Sequence, residues 1–193
     1  MSDLVVAPVG PERWEDLVAL FGENGAYSNC WCTWFLLSGK DFTEAGNEGR
    51  RDLLADMVAE GREPGLLAYR DGEPVGWCAV GPRHWYARMT SPRARVYRAF
   101  DEAPAWVVNC FYVRRDQRGG GVAAALLDAA VAHARSRGAT IVEGYPVDQD
   151  IHATGPAELF VGTLSMFQRA GFHEVARMGS RPLVRRVWTP PSS

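Results

Sequence analysis

A glycine-rich turn after an apolar run is the part of this sequence best suited to chemistry. Its residues run Val113, Arg114, Arg115, Asp116, Gln117, Arg118, Gly119, Gly120, Gly121, Val122 and Ala123. An alanine-rich helical pattern follows, so the glycines stand at a helix N-terminus, where backbone N–H groups are unpaired and carry partial positive charge. Glycines have no β-carbon to keep an anion away. The turn therefore predicts a phosphate-binding loop, to which Arg118 adds a charge-assisted donor.

Two other phosphate loops are possible in principle. A Walker loop is excluded, because no Gly-Lys-Ser/Thr ends the run. A dinucleotide fingerprint fits Gly119-x-Gly121-x-x-Ala124, with Glu143 at a suitable distance downstream. Against it, Arg114–Arg118 separates the strand from the first glycine, and only about a quarter of the chain follows Glu143. A dinucleotide-binding protein remains the less favoured alternative.

The spacing Arg-x-x-Gly-x-Ala, five residues after a strand-ending valine, resembles the motif of the GNAT superfamily of N-acetyltransferases. The matching positions are Val113, Arg118, Gly121 and Ala123, followed by Leu126, Leu127 and the pair Gly171-Phe172. The resemblance is strong over about residues 105–178 and extends to the N-terminal third only in the order of elements. It implies one α/β domain over 1–193, with a mixed, mostly antiparallel sheet, a central splayed parallel strand pair and helices on both faces.

The resemblance also implies a ligand and a reaction. Acetyl-CoA would be the co-substrate, with its pyrophosphate bound by Arg118–Ala123. Its pantetheine arm would lie along Phe111, Tyr112 and Val113 and would pair with the main chain of Phe111 and Val113. The arm would enter an opening between 108–113 and 141–147. The acetyl group would pass to a primary amine of a small molecule or peptide, by direct attack in a ternary complex. Homodimers are frequent among the proteins that the chain resembles.

The residues that many family members use for proton transfer are absent. Phe167 stands where a tyrosine is common, and Phe160 where an asparagine is often found. Glu143 and Tyr145 share one face of the following strand and are the substitute candidates for base and acid. Alternatively, Glu143 pairs with an arginine and Tyr145 only packs. The missing tyrosine also keeps open a non-catalytic acyl-CoA-binding sensor.

Four aromatic residues are candidates for an acceptor pocket: Trp31, Trp34, Trp85 and Tyr86. The resemblance places the acceptor-side cover at about 22–62 and 82–103, where these rings lie, and a core of the cofactor site at about 105–178. Rings in such a wall would favour an aromatic or cationic amine. Ordinary filling of the core is the other interpretation.

Composition limits the class of protein. The chain has 193 residues, 47% hydrophobic and 23% charged, with a formal net charge of -2. It predicts one globular domain without the basic face that a nucleic-acid or membrane binder needs. The N-terminus lacks a signal-peptide pattern, and four cysteines give neither a disulfide framework nor metal-ligand spacing. We therefore expect reduced thiols, no metal and a cytoplasmic location.

The elements that position these residues follow from periodicity and turn signals. Apolar runs predict strands at 4–9, 65–70, 75–81, 106–113 and 140–147, with two more strands after Gly171. Helices are predicted from Pro11 to Gly22, from a Thr43 cap through Val58, from about 120 to 137, and around 159–170. The apolar run Cys30–Leu37 is too short to assign by itself but would fit a helix.

Overall fold

The computed structural model describes residues 4–94, 96–151 and 156–189. Its strands form a mixed sheet in the order β1-β2-β3-β4-β5-β7-β6. Their bounds are β1 Leu4–Pro8, β2 Gly65–Arg70, β3 Glu73–Pro82, β4 Trp106–Val113, β5 Ile141–Gly144, β6 His173–Met178 and β7 Arg181–Val187. Neighbouring strands are antiparallel except β4 and β5, which are parallel. The predicted sheet is confirmed.

Helices cover both faces of this sheet, as predicted. They are α1 Trp14–Phe21, α2 Gly39–Ala59, α3 Ala87–Thr90, α4 Val122–Ser136 and α5 Leu164–Arg169, with 3-10 turns at Pro11–Arg13, Arg83–Trp85, Arg115–Gln117 and Pro156–Val161. On one face, α4 and α5 bury Leu126, Leu127 and Phe167 against β4 and β5. On the other face, α1 and α2 bury Leu17, Phe21 and Leu54 against β2 and β3. Within the described residues, none of the helices is both long and apolar enough to span a membrane.

A third group of buried side chains lies under the segment that follows β3. This Tyr86 cluster comprises Phe35, Tyr86, Met89, Val107, Tyr145, Val147, Val161 and Leu183. Its members come from β4 and β7, from the chain just after β5 and from other segments outside the sheet. The cluster therefore joins the covering segments to the half of the sheet that contains the parallel pair.

Three predicted elements differ in the structure. The helix over Cys30–Leu37 is wrong: this segment is a series of turns, with φ of +48° at Trp31 and +49° at Cys32, which an α-helix excludes. The second helix begins at Gly39, because Ser38 accepts a hydrogen bond from the Asp41 amide at 3.2 Å, so Thr43 is not its cap. The strand predicted over 140–147 pairs only as far as Gly144.

The parallel pair splays at a defined position. β4 and β5 pair at Trp106↔Val142, Val107↔Glu143 and Val108↔Gly144. Beyond Gly144 the chain turns away from β4, and Val147 donates to the Gly162 carbonyl at 2.9 Å and accepts from the Leu164 amide at 2.8 Å. The splayed pair is therefore confirmed. The dinucleotide alternative is wrong, because a doubly wound dinucleotide fold needs a mostly parallel sheet.

Candidate active site

The glycine-rich loop forms a cradle at the N-terminus of α4. Gly119 and Gly121 have φ of +77° and +78°, and apart from their neighbours in the chain no described atom lies within 4 Å of the position that a β-carbon would take at either residue. Gly121 is the N-cap, and no side chain caps the helix. The first intrahelical donor is Ala125, at 3.0 Å from the Gly121 carbonyl, so the amides of Val122 and Ala123 point out of the helix end. This geometry fits a phosphate.

Three contacts hold the cradle in place. Arg118 donates through Nε to the Val113 carbonyl at 3.1 Å, which ties the loop to the end of β4. Arg70, at the end of β2, donates to the Gln117 side chain at 2.6 Å. Arg114 pairs with Asp116 at 2.7 Å. Arg70 adds positive charge beside the loop. Sequence reasoning missed it, because 47 residues separate it from Gln117 and no local pattern links them.

Aromatic rings line the opening between β4 and the departing β5. Phe111 of β4 and Phe167 of α5 meet edge to face, with centroids 6.3 Å apart. The ring of Phe167 lies directly against the backbone of Gly144, where a β-carbon would collide with it. Phe167 is fully buried. Residue 167, where a tyrosine is common, therefore does face the splay. Because it is a phenylalanine here, it has no hydroxyl group to donate a proton.

Glu143 lies in a buried network of charges. It is 0% exposed, and its carboxylate accepts from Arg83 Nη1 at 2.9 Å and from Arg185 Nε at 3.0 Å. Arg185 also pairs with Asp101 at 2.8 Å, and Arg185 holds the pKa of Asp101 below its usual range. Both carboxylate oxygens of Glu143 thus have guanidinium partners, and the network ties the segment after β3 to β5 and β7.

Tyr145 follows the last paired residue of β5 and belongs to the Tyr86 cluster. Its hydroxyl donates to the Arg98 carbonyl at 3.4 Å, and its ring meets Tyr97 with centroids 5.8 Å apart. Burial is the main cause that raises the pKa of Tyr145, and the nearby Glu143 charge adds to it. The phenol therefore keeps its proton and can donate a hydrogen bond, while the raised pKa makes it a weaker acid than an unperturbed tyrosine.

The four candidate pocket aromatics lie in different surroundings. Trp31 is 3% exposed and fills the core beside α1, with its indole N–H on Asn47 at 2.8 Å. Trp34 is 38% exposed, and the Arg88 guanidinium lies 3.6 Å over its ring. Trp85 tilts against Trp106, at 6.5 Å between centroids, and Tyr86 is buried in its own cluster. Trp85 and Tyr86 do line one small cavity together, but among the described residues the four rings do not form a single wall.

The four cysteines are free thiols. Cys32 and Cys110 are buried, with sulfurs 3.0 Å apart, and the hydrogen bond with Cys110 and burial together raise the pKa of Cys32. A thiol that keeps its proton is a poor nucleophile. Among the described residues, no group of histidine, cysteine, aspartate and glutamate side chains could hold a metal ion.

A splayed strand pair beside an uncapped helix N-terminus accommodates an extended ligand that carries phosphate. The chain belongs to the GNAT family of acetyltransferases, because the model of that family matches residues 31–154, more than half of its length. The acetyl group that this family transfers comes from acetyl-CoA, as the sequence resemblance implied. A search of the curated proteins finds no match to the chain.

Solved structures with this fold are distant in sequence. One is the PaiA N-acetyltransferase from Thermoplasma acidophilum in complex with coenzyme A, at 12% identity and a TM-score of 0.54, over 96% of this chain and 99% of that one. Another is the ribosomal-protein-alanine N-acetyltransferase from Brucella melitensis, at 18% identity and a TM-score of 0.52, over 95% and 99%. An N-acetyltransferase from Staphylococcus aureus Mu50 has 13% identity and a TM-score of 0.55, over 96% and 99%. At these identities the likeness establishes the fold.

Proposed function

We propose that this chain transfers the acetyl group of acetyl-CoA to a primary amine of a small molecule or peptide, by direct attack in a ternary complex. The observation that carries the proposal is the uncapped N-terminus of α4 beside the splay of β4 and β5. It offers an anion site and, next to it, an edge of β4 that none of the described strands pairs with beyond Val108. The family supports acetyl transfer in general, and the acceptor class and the mechanism are our inference.

The pyrophosphate would bind the amides of the Arg118–Ala123 loop, with Arg70 and Arg118 as neighbouring cations. The pantetheine arm would lie along the free edge of β4 and pair with the main chain of Phe111 and Val113, with Tyr112 between them, as an added strand does. The arm can reach only as far as Val108, where β5 closes the gap. The thioester would therefore stop beside the last residues of β4 before this closure.

In the reaction, the lone pair of the neutral amine forms a bond to the thioester carbonyl carbon, and the carbonyl π electrons move to oxygen. When the carbonyl re-forms, the C–S bond breaks and coenzyme A leaves as a thiolate. The nitrogen loses one proton and the sulfur gains one. A simple thiol titrates near ~8.5, so a donor assists this departure but is not indispensable.

We assign the donor role to Tyr145, since its phenol stays protonated and it lies where β5 leaves β4. Glu143 has a different role in this proposal. Its oxygens are bound to Arg83 and Arg185, so it positions the segment after β3. The catalytic base predicted from sequence at Glu143 would have to break these bonds to accept a proton.

The acceptor side of the proposal rests on the covering segments. In this proposal two of the predicted pocket aromatics would meet the acceptor: Trp34, which is exposed and stacked with Arg88, and Tyr86, which is buried beside β4. Trp31 and Trp85 would instead pack within the covering segments and stabilise them. The homodimer, the single-domain boundaries and the cytoplasmic location stay predictions from the sequence.

The test is release of free coenzyme A thiol from acetyl-CoA, measured over a panel of primary amines. Turnover with at least one amine, absent from a Gly121→Asp variant, supports the proposal. Micromolar binding of acetyl-CoA without turnover on any amine would instead support the acyl-CoA sensor, which Phe167 in place of a tyrosine favours. Failure to bind acetyl-CoA at all would refute both.

A further inference from the structure

Asn109 is a buried polar residue that the fold leaves unsatisfied. Its side chain is 1% exposed, yet neither Nδ2 nor Oδ1 has a hydrogen-bond partner among the described residues. Burial raises the pKa of the Tyr86 phenol, and its interaction with the Asn109 side chain partly offsets this effect, but the two groups do not meet with the geometry of a hydrogen bond. Buried carboxamides are almost always paired, because burial without a partner opposes folding. An orphaned amide of this kind points to a group that the free protein lacks.

The backbone places this amide at the end of the splay. β3 pairs Ala79 with Cys110 and Val80 with Val108, so Asn109 is the extra residue of a β-bulge in β4. On the other edge of β4, pairing with β5 ends at Val108↔Gly144. Asn109 is therefore the first residue of β4 past the point where the parallel strands separate. Bulges next to active sites commonly redirect a side chain in this way.

Asn109 also lies on the face of the sheet that carries the Tyr86 cluster. Val107 and Tyr86 belong to the Tyr86 cluster, on the face opposite α4. The proximity of the amide to Tyr86 places Asn109 on this same face. The loop that holds the phosphates lies beyond the other end of β4, after Val113. A ligand arm that enters from the loop and runs down β4 thus brings its far end to Asn109.

We infer that Asn109 binds the reacting centre, with its Oδ1 accepting from the N–H of the attacking amine and its Nδ2 donating to the thioester oxygen. This inference rests on the proposed acetyl transfer and deepens it. The donor and acceptor of a carboxamide are substituents of a single carbon. In the tetrahedral intermediate, the amine nitrogen and the oxyanion are likewise substituents of one carbon. The spacing of the amide oxygen and nitrogen therefore matches the spacing of the two atoms that they would bind.

These two hydrogen bonds strengthen as the reaction proceeds. The nitrogen gains positive charge when it forms the C–N bond, which makes its N–H a better donor. The carbonyl oxygen gains negative charge at the same time and becomes a better acceptor. Interactions that strengthen toward the transition state accelerate the chemical step, whereas they contribute little to binding acetyl-CoA alone. Loss of the amide is therefore expected to lower kcat and leave the acetyl-CoA Kd unchanged.

The orphaned amide makes a test possible in which stability and activity move independently. Asn109→Leu removes an unsatisfied polar group from an apolar site, so its thermal midpoint should equal or exceed that of the wild type. Its kcat for amine acetylation should fall by about 10- to 100-fold. Tyr69→Phe is the control, because it removes a polar group that does have a partner, the Asp16 carboxylate at 2.7 Å, outside the covering segments and the splay. That variant should lose stability and keep its kcat.

The outcomes separate the inference from the proposed function. If the wild type acetylates an amine and Asn109→Leu does so at the same rate, the inference is wrong and the acetyltransferase stands. If Asn109→Leu unfolds, the Asn109→Ala variant is measured instead. An undiminished kcat in Asn109→Ala contradicts the inference. A lower kcat with an unchanged acetyl-CoA Kd supports it. If the wild type binds acetyl-CoA but acetylates no amine, the proposed function fails, and the role of Asn109 fails with it.

Discussion

Arg83 lies 2.9 Å from Glu143, and both side chains are almost fully removed from solvent. Arg185 approaches the same carboxylate from β7 and reaches Asp101 with its other nitrogens. Such a network rarely adds much stability over apolar packing, but a charge left alone inside it is costly. Its effect here is geometric: it fixes the segment after β3 on the half of the sheet that splays.

Glu143→Gln should therefore destabilise the protein by about 3 to 5 kcal/mol, because Arg83 loses its buried counter-charge. Urea denaturation measures this loss. Glu60→Gln, which removes an exposed partner of Arg62, should cost less than about 1 kcal/mol. A Glu143→Gln protein with wild-type stability and greatly lowered kcat would restore the catalytic base predicted from the sequence.

The phosphate cradle gives a second prediction. Gly121→Asp should abolish acetyl-CoA binding, because it adds bulk and negative charge at the N-terminus of α4 and a side chain at a φ of +78°. Gly138→Asp is the matched control: Gly138 lies beyond the other end of α4, with a φ of +86° and equally open space. Both variants carry similar backbone strain. In calorimetric titrations, only the Gly138 variant should still bind acetyl-CoA, and equal affinities would contradict the loop assignment.

Much of this fold is encoded locally. The strand predicted over 106–113 has the observed bounds, since an unbroken apolar run flanked by polar residues needs no distant information. The hairpin of β2 and β3 follows from the turn residues Asp71-Gly72. The cradle could be predicted because its function depends on consecutive backbone amides, and a run of glycines before a helix reveals these.

What the sequence could not predict depends on contacts between distant segments. The partners of Glu143 are 60 and 42 residues away, and nothing in the spacing selects Arg83 and Arg185 from the other arginines. The bulge at Asn109 exists only as a mismatch between β3 and β4. The turns around Trp31 form because the ring is buried beside α1, which overrides the helical pattern of the segment.

His133 makes stability depend on pH. It lies on α4 against Trp106, and burial lowers its pKa below the ordinary value. The unfolded state therefore binds more protons than the folded state between the lowered pKa and about 6.5. Stability is complete above this range and is lost as the pH falls through it. Thermal midpoints from pH 8 to about pH 5 should decline, and His133→Gln should reduce the decline. His173 is exposed, so His173→Gln should leave the decline of the thermal midpoint unchanged. If the thermal midpoint declines equally in the His133 and His173 variants, other groups cause the decline.

Tyr145→Phe tests the proton donor. It should lower kcat at least about tenfold, because the departing thiolate loses its donor, while the acetyl-CoA Kd stays constant. Stability should change by less than about 1 kcal/mol, since only the 3.4 Å bond to Arg98 is lost. Tyr69→Phe is the control: it loses a 2.7 Å bond to Asp16, far from the splay. That variant should be less stable and fully active, and an undiminished kcat in Tyr145→Phe would leave the residue a packing role.

The contact between Gly144 and Phe167 gives the last prediction. A β-carbon at residue 144 would overlap the Phe167 ring, which is held from its other sides by Phe111 and by Phe172 at 5.0 Å between centroids. Gly144→Ala should therefore destabilise the protein by about 1 to 3 kcal/mol, as overpacking does. It should also weaken acetyl-CoA binding, because a displaced ring narrows the opening beside β4.

A double variant identifies the cause. Phe167→Leu in the Gly144→Ala background removes the overlap, so the two substitutions together should cost less than the sum of their separate effects. Urea denaturation gives the coupling, and calorimetry shows whether acetyl-CoA affinity recovers with it. Gly39→Ala, where the new methyl group would lie 3.8 Å from Arg88, should be close to neutral. Strict additivity of the Gly144 and Phe167 substitutions would mean that the ring does not set the width of the splay.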